Sequence, residues 1–231
     1  MEHRSGPAGE LHALDLPDPV VRTAWVFSVD GPAVVLGSGQ RDPIVDDEAA
    51  AGAGVEVVRR RSGGGAVHLV PGRQVWIDLV VPSDDPLWDE DVGRAMYWVG
   101  RCWTQALSTL GVSGKVHEGG LASTPASSVV CFAGLGPGEV TVGGRKVVGV
   151  SQRRTRRGAR FQTATLLDWA PHELSPLLVP DAAEQAHRIN LDGVAAGVDR
   201  PLGQVEAALL AALDAGCGRG ARFGGHGDAD A

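Results

Sequence analysis

The 231-residue chain contains no run of about 18 consecutive apolar residues, which argues against a membrane-spanning helix. Its first residues, MEHRSGPAGELHALDLP, lack the apolar core of a secretory signal, so cytoplasm is the expected location. Cysteine is scarce. Cys102, Cys131 and Cys217 are odd in number and widely spaced, with no CxxC pair, so neither a disulfide framework nor a zinc site is expected. Excess basic charge is missing too, and a net charge of −7 argues against a general nucleic-acid binder. Several common signatures are absent. GxxxxGK[ST], GxGxxG, GxSxG and HExxH do not occur, so a Walker-type nucleotide site, a dinucleotide fold, a nucleophile elbow and a zinc-protease helix are not indicated.

What the chain has is β-rich patterning. Strand-like runs fall at 24–29, 33–36, 55–59, 74–81, 128–132, 139–142, 146–151 and 160–167. Within 74–81, Val75, Ile77 and Leu79 share one face. Asp85-Pro86 reads as a helix start. Val92, Met96, Val99, Trp103, Ala106 and Leu110 then follow at helical spacing until Gly111 stops the run. Further helices are expected over 201–215 and 182–188. Many strands, few long helices and no regular βαβ alternation give an α+β class with a mainly antiparallel sheet flanked by helices. The ends are Gly/Pro-rich and polar. They set the expected organisation as a flexible segment 1–17, one domain 18–215 and a disordered Gly-rich tail 216–231.

Two segments carry chemistry. In Arg59-Arg60-Arg61-Ser62-Gly63-Gly64-Gly65-Ala66-Val67-His68, forked cations run into consecutive glycines. Without Cβ atoms such a loop can turn its N–H groups onto an anion at close range, and arginine pairs with phosphate or carboxylate. A hairpin turn beside solvated arginines is the plainer alternative. The second segment, Cys131 to Gln152, reads as strand, Gly143-Gly144 turn, strand, with Lys146 just past the turn. Gly149 interrupts the second strand, as happens where a ligand approaches the backbone.

Together these segments resemble the lipoate-protein ligase, octanoyltransferase and biotin-protein ligase superfamily. Arg59 to Val67 resembles its Arg-Arg-x-Ser/Thr-Gly-Gly-Gly-Ala-Val signature, Gly144 to Gln152 its Gly-(Arg/Lys)-Lys-(Ile/Val)-x-Gly-Ser-Ala-Gln signature, and Val34 to Gln40 its Val-(Val/Ile)-(Leu/Ile)-Gly-x-x-Gln strand and turn. The resemblance implies a class II synthetase or biotin-protein-ligase-like catalytic fold. It implies an enzyme that attaches lipoyl or octanoyl groups to a lysine of a lipoyl domain through an acyl-adenylate. ATP and Mg2+ would then be required. The implied acceptors are apo lipoyl domains of 2-oxoacid dehydrogenases or the glycine cleavage H protein, with no nucleic acid or membrane partner. Lys146 would stabilise charge in the transition state. Gln40, Arg60, Ser62, Gly63, Gly64, Gly65, Ala66, Glu139, Gly149, Val150 and Ser151 would border the acyl-adenylate. Val34–Leu36, Val75 and Ile77 would line the acyl tunnel, where each buried CH2 contributes about 0.8 kcal/mol.

Cys131 opens a second route. One octanoyltransferase branch spaces a Cys-Phe pair, an acidic residue and a lysine as Cys131, Glu139 and Lys146 are spaced here. In that branch the cysteine takes the acyl group from acyl carrier protein as a thioester, and no cofactor is needed. A buried, inert cysteine is the plain alternative. The chain also departs from the family pattern. His68 stands where an aromatic residue is usual and Leu69 where histidine is usual. Gly149-Val150-Ser151-Gln152 replaces Gly-Ser-Ala-Gln, and Gln162-Thr163-Ala164-Thr165 replaces Gln-His-Gly-(Ser/Thr). These departures keep a third reading open, a non-catalytic partner subunit that binds an acyl or adenylate ligand. The arginines at 153, 154, 156, 157 and 160 suit either a solvated loop or a docking surface for an acidic carrier domain.

Overall fold

A computed structural model describes residues 1–41, 43–217 and 222–223. The elements run β1 (Glu2–Gly6), α1 (Ala8–Ala13), β2 (Thr23–Val29), β3 (Ala33–Leu36), α2 (Asp47–Gly52), β4 (Glu56–Arg59), β5 (Val67–Leu69), β6 (Gln74–Pro82), α3 (Tyr97–Thr109), β7 (Lys115–Val116), β8 (Val140–Val142), β9 (Arg145–Arg154), β10 (Gly158–Leu166), α4 (Pro171–Leu174), α5 (Pro180–His187), α6 (Leu191–Val194) and α7 (Leu202–Asp214). Seven strands form one sheet in the order β1-β2-β6-β10-β9-β8-β7, and β4-β3-β5 form a second. The large sheet is antiparallel except for the β1–β2 pair. This is the α+β, mainly antiparallel architecture expected.

The alternation in β6 assigns the two faces. Val75, Ile77, Leu79 and Val81 point into a core with Trp98, Val99, Trp103 and Leu107 of α3 and Val205, Leu209 and Leu213 of α7. Trp76 and Val80 point the other way, into a cluster with Leu11 of α1, Trp25 and Phe27 of β2, Val35 of β3 and Leu69 of β5. The small sheet and α1 therefore cover the face opposite the long helices. The space they leave above β9, β10 and β6 becomes the site.

Four expectations change. Segment 1–17 is not loose: β1 pairs with β2, and α1 packs on the sheet. Its anchor is Arg160. That buried guanidinium donates to the carbonyls of Leu11 (2.9 Å) and Leu14 (2.8 Å) and to Asp78 (2.6 Å). The run 128–132 is not a strand. Hydrogen bonds from Val129 and Val130 back to Ala126 close turns, and Cys131–Ala133 is a 3-10 turn; one bridge to Ala66 is all the pairing it finds. Asp85-Pro86 does not open the long helix. Asp85 closes a turn onto the Leu87 N–H, and the helical run begins only at Arg94, capped by Asp91, which leaves Val92 exposed.

The fourth change concerns cysteine and the tail. Cys102 of α3 and Cys217, with Cα atoms 5.2 Å apart, form a disulfide. Packing of α3 on α7 supplies this proximity across 115 residues, which spacing alone does not reveal. Phe223 stacks on Trp98. The tail expected to be disordered is thus held at Cys217 and Phe223, while 218–221 and 224–231 lie outside the described residues.

Candidate active site

The triple-glycine loop is tied down from beneath. Arg60, 5% exposed, spends its guanidinium on three carbonyls: Val35 (3.0 Å), Gly63 (2.8 Å) and Gly65 (2.9 Å). It is a brace for the loop, and it also lines the pocket described below. Arg59 holds the carbonyls of Gly37 and Gln40, and Arg61 pairs with Asp15. The three arginines thus shape the loop and its neighbours. Close backbone approach explains two of the glycines. A Cβ at Gly65 would stand 2.7 Å from the Cys131 nitrogen, and one at Gly37 would overlap the Gly64 carbonyl oxygen. Because backbone is the obstacle, Gly37→Ala is expected to cost about 1–3 kcal/mol, the usual range for overpacking. Urea denaturation reads this directly, and an unchanged midpoint would contradict the loop contact.

Lys146 sits at the β9 start, 3% exposed. Its ammonium meets Glu139 (2.7 Å) and the carbonyls of Cys131 (3.1 Å) and Gly134 (3.1 Å), 4.9 Å from the centre of the Phe132 ring. Three acceptors match its three protons. Glu139 in turn accepts from the N–H groups of Gly136 (2.7 Å) and Val150 (3.2 Å). The spacing of Cys131, Glu139 and Lys146 is therefore realised as one contiguous cluster. The Cys131 sulfur lies beside the glycine loop, 3.6 Å from where a Gly64 Cβ would be.

Cys131, Phe132 and Glu139 of this cluster open onto a pocket of about 490 Å3, mouth included. Its walls include Arg60, Cys131, Phe132, Glu139, Gly149, Val150 and Ser151, together with Val35, Val67 and Leu69 of the small sheet. Val75 and Ile77, expected in the tunnel, instead face the helices on the far side of the sheet, and Trp76 takes their place. Of Val34–Leu36 only Val35 reaches the pocket; Val34 and Leu36 belong to a separate apolar cluster. Gln40 is not in the wall either. Its amide joins the Gly37 N–H to the Ser128 carbonyl, a brace between the β3 turn and the segment leading to Cys131. Ala66 straps the loop to that segment by bonding Val129 and Cys131.

Four further residues enter the wall: His12, Gln162, Thr163 and Ala164. His12 stacks on Trp76, with centroids 4.3 Å apart. Burial, then the charges of Arg160 and Arg60, push its pKa down to about 3, so it is neutral near pH 7. A second cavity of about 500 Å3, open mouth included, lies beyond Val67 and Phe132. Its walls include His68, whose pKa is lowered by burial and whose Nε2 has no partner among the described residues, and the Arg73–Glu173 ion pair (2.6 Å). The family departure at 68–69 is thus split, with His68 facing the second cavity and Leu69 the first.

The sequence model of the lipoyl protein ligase A/B catalytic domain matches residues 17–200. The chain belongs to that family. No curated protein showed significant sequence similarity to it. Among solved structures, lipoate-protein ligase A bound with ATP is 20% identical with a TM-score of 0.64, the match covering 84% of this chain and 71% of that one. The bipartite lipoate protein ligase from Thermoplasma acidophilum, described with its E2 lipoyl domain, is 19% identical with a TM-score of 0.67, covering 93% and 83%. A Thermoplasma structure with bound lipoic acid gives 19% and 0.64, covering 93% and 84%. At these identities the likeness is one of fold, and it places the chain on the lipoate-protein ligase framework.

Within that family frame, no cluster of three or more His, Cys, Asp or Glu able to hold a metal occurs among the described residues. Glu139, the one carboxylate of the pocket wall, is taken by Lys146. A dedicated protein site for Mg2+ does not fit here; Mg2+ arriving on nucleotide phosphates is the compatible form. The basic hairpin between β9 and β10 is largely paired within the chain. Arg153 meets Asp15, Arg157 meets Asp18, Arg154 lies over Trp88, and Arg160 is internal. Sequence reading missed His12, because it falls in a segment read as loose. It missed Trp76 although the β6 alternation already set it opposite Val75 and Ile77.

Proposed function

We propose that the chain is a lipoate-protein ligase-like enzyme that transfers a lipoyl or octanoyl group to a lysine of a lipoyl domain. The observation that carries this is the pocket floored by Gly149 and Val150, walled by Arg60 and Val67 at the two ends of the glycine loop, with Lys146 buried behind Cys131 and Phe132. In the adenylate route the acyl carboxylate oxygen bonds to the α-phosphorus of ATP and pyrophosphate leaves. The acceptor amine then attacks the acyl carbonyl, loses a proton and expels AMP. Two of the three Lys146 partners are neutral carbonyls, and charged phosphate oxygens are stronger acceptors than these. Exchanging the Cys131 and Gly134 carbonyls for ligand oxygens brings the ammonium to the reacting centre while Glu139 keeps it in place.

A second reading rests on Cys131 itself, which lines the pocket beside the glycine loop. Its thiolate would attack a thioester of acyl carrier protein, expel the carrier thiol, and pass the acyl group to the acceptor amine, regenerating the thiol. Incubation of apo lipoyl domain with octanoate plus ATP, or with octanoyl acyl carrier protein, separates the routes by intact mass. The adenylate route gives ATP-dependent octanoylation that survives Cys131→Ser. Carrier-dependent octanoylation that Cys131→Ser abolishes, with a hydroxylamine-labile adduct on the wild-type chain, selects the thioester route. No octanoylation under either condition, with acyl ligand still bound, sinks the enzyme reading and leaves an acyl-binding subunit.

A further inference from the structure

The pocket wall has a feature that acyl activation does not use. The Ser151 hydroxyl donates to the Ser62 oxygen (3.1 Å), and the Ser62 hydroxyl donates to Gln162 Oε1 (2.7 Å). The Gln162 amide nitrogen faces His12 Nδ1 at 3.1 Å. Each link fixes the direction of the next. With its oxygen accepting from Ser62, the Gln162 amide can only donate toward His12. His12 Nδ1 is then an acceptor, and the proton of the neutral ring sits on Nε2. Stacking on Trp76 holds the ring in place. The Nε2–H has no partner among the described residues, and the ring lines the pocket.

Its position is also set. Gly149, Ala164 and Trp76 are register partners on β9, β10 and β6. Two strand spacings separate Gly149 from Trp76, about 10 Å in all. Phe132, which carries Lys146 on its ring, lies against Gly149. The activating end and the His12–Trp76 end therefore face each other across roughly the reach of a medium-length acyl chain.

We propose that His12 is a specificity-determining residue that selects an acyl group carrying a hydrogen-bond acceptor at its far end over a plain alkyl chain of equal length. This rests on the acyl-transfer reading above. A plain chain covers the Nε2–H without replacing its water, whereas an oxo or amide-type carbonyl accepts from it. A dithiolane sulfur, a weak acceptor, falls between them. Arg160 and the β6–β10 sheet hold α1 so that the donor cannot readily turn away.

Calorimetry on the full chain tests this with two acids of equal length, octanoate and 7-oxooctanoate. The wild-type chain is expected to bind 7-oxooctanoate about tenfold more tightly, the effect of leaving one buried donor unpaired. His12→Phe, which keeps a ring on Trp76 but removes the donor, is expected to bring the ratio to one or reverse it. Equal or weaker binding of 7-oxooctanoate by the wild-type chain overturns the proposal even if the variant does not fold. An unchanged ratio in folded His12→Phe overturns it too. If octanoate itself does not bind, the acyl-pocket reading fails first, and the selectivity claim with it.

Discussion

Replacing Lys146 with methionine is expected to abolish acyl transfer and to weaken the fold. The first effect follows from removing the cation nearest the reacting centre, a loss of about 100- to 1,000-fold for a preorganised electrostatic group. The second follows from Glu139. Both partners are almost fully buried, and a carboxylate left without its counter-charge costs about 3–5 kcal/mol. Activity loss in the single variant is therefore ambiguous by itself. The double variant Lys146→Met/Glu139→Gln separates the two effects. Glutamine can still accept from Gly136 or Val150 and carries no charge, so most of the stability is expected to return while transfer does not. Denaturant midpoints and the lipoyl-domain mass assay read the two quantities in parallel. A double variant that regains transfer along with stability would remove Lys146 from the chemistry and leave it a structural cation.

Arg160→Met is expected to weaken the fold to a similar degree and to release the N-terminal segment. Arg160 is 2% exposed and joins four things: Asp78, the C-terminal carbonyls of α1, and the faces of Trp25 and Phe27. Burial raises the Asp78 pKa, and the Arg160 charge and hydrogen bonds oppose that rise. Without Arg160 the Asp78 carboxylate keeps only the Trp76 N–H among its side-chain donors, at 2.8 Å. The expected cost is about 3–5 kcal/mol. Because the α1 carbonyls lose their donor, amide hydrogen exchange over 2–15 is expected to accelerate more than exchange in β10. Adding Asp78→Asn should recover stability but not protection of α1, since asparagine relieves the buried charge without reaching Leu11 or Leu14. Uniform acceleration across the sheet would show that Arg160 supports the core as a whole and is not a specific anchor for the N-terminal segment.

The loop and the Cys131–Glu139–Lys146 group were legible because their chemistry is written in residue type and spacing. Consecutive glycines permit one kind of close approach, and a strand, a tight turn and a lysine at fixed offsets leave little freedom. Roles inside the group were less legible. Arg60 reads as a residue bordering the ligand, and the structure adds that it braces the loop through three carbonyls while lining the pocket. Gln40 reads as a binding residue, yet it braces two backbone segments. A polar side chain can satisfy its hydrogen bonds through ligand or through backbone, and residue identity does not say which.

Two kinds of information remain distinct for this chain. The sequence by itself determined the class, most of the long strands and the family motifs, because periodicity and glycine chemistry act over short range. The tertiary structure alone decided that the pocket uses Trp76 and not Val75 or Ile77. It also decided that Cys102 meets Cys217 and that His12 closes a relay to Ser151 more than a hundred residues away. Such contacts depend on which faces of the sheet are covered and by what. That choice is made by burial of the whole set of apolar residues together, and no local pattern encodes it.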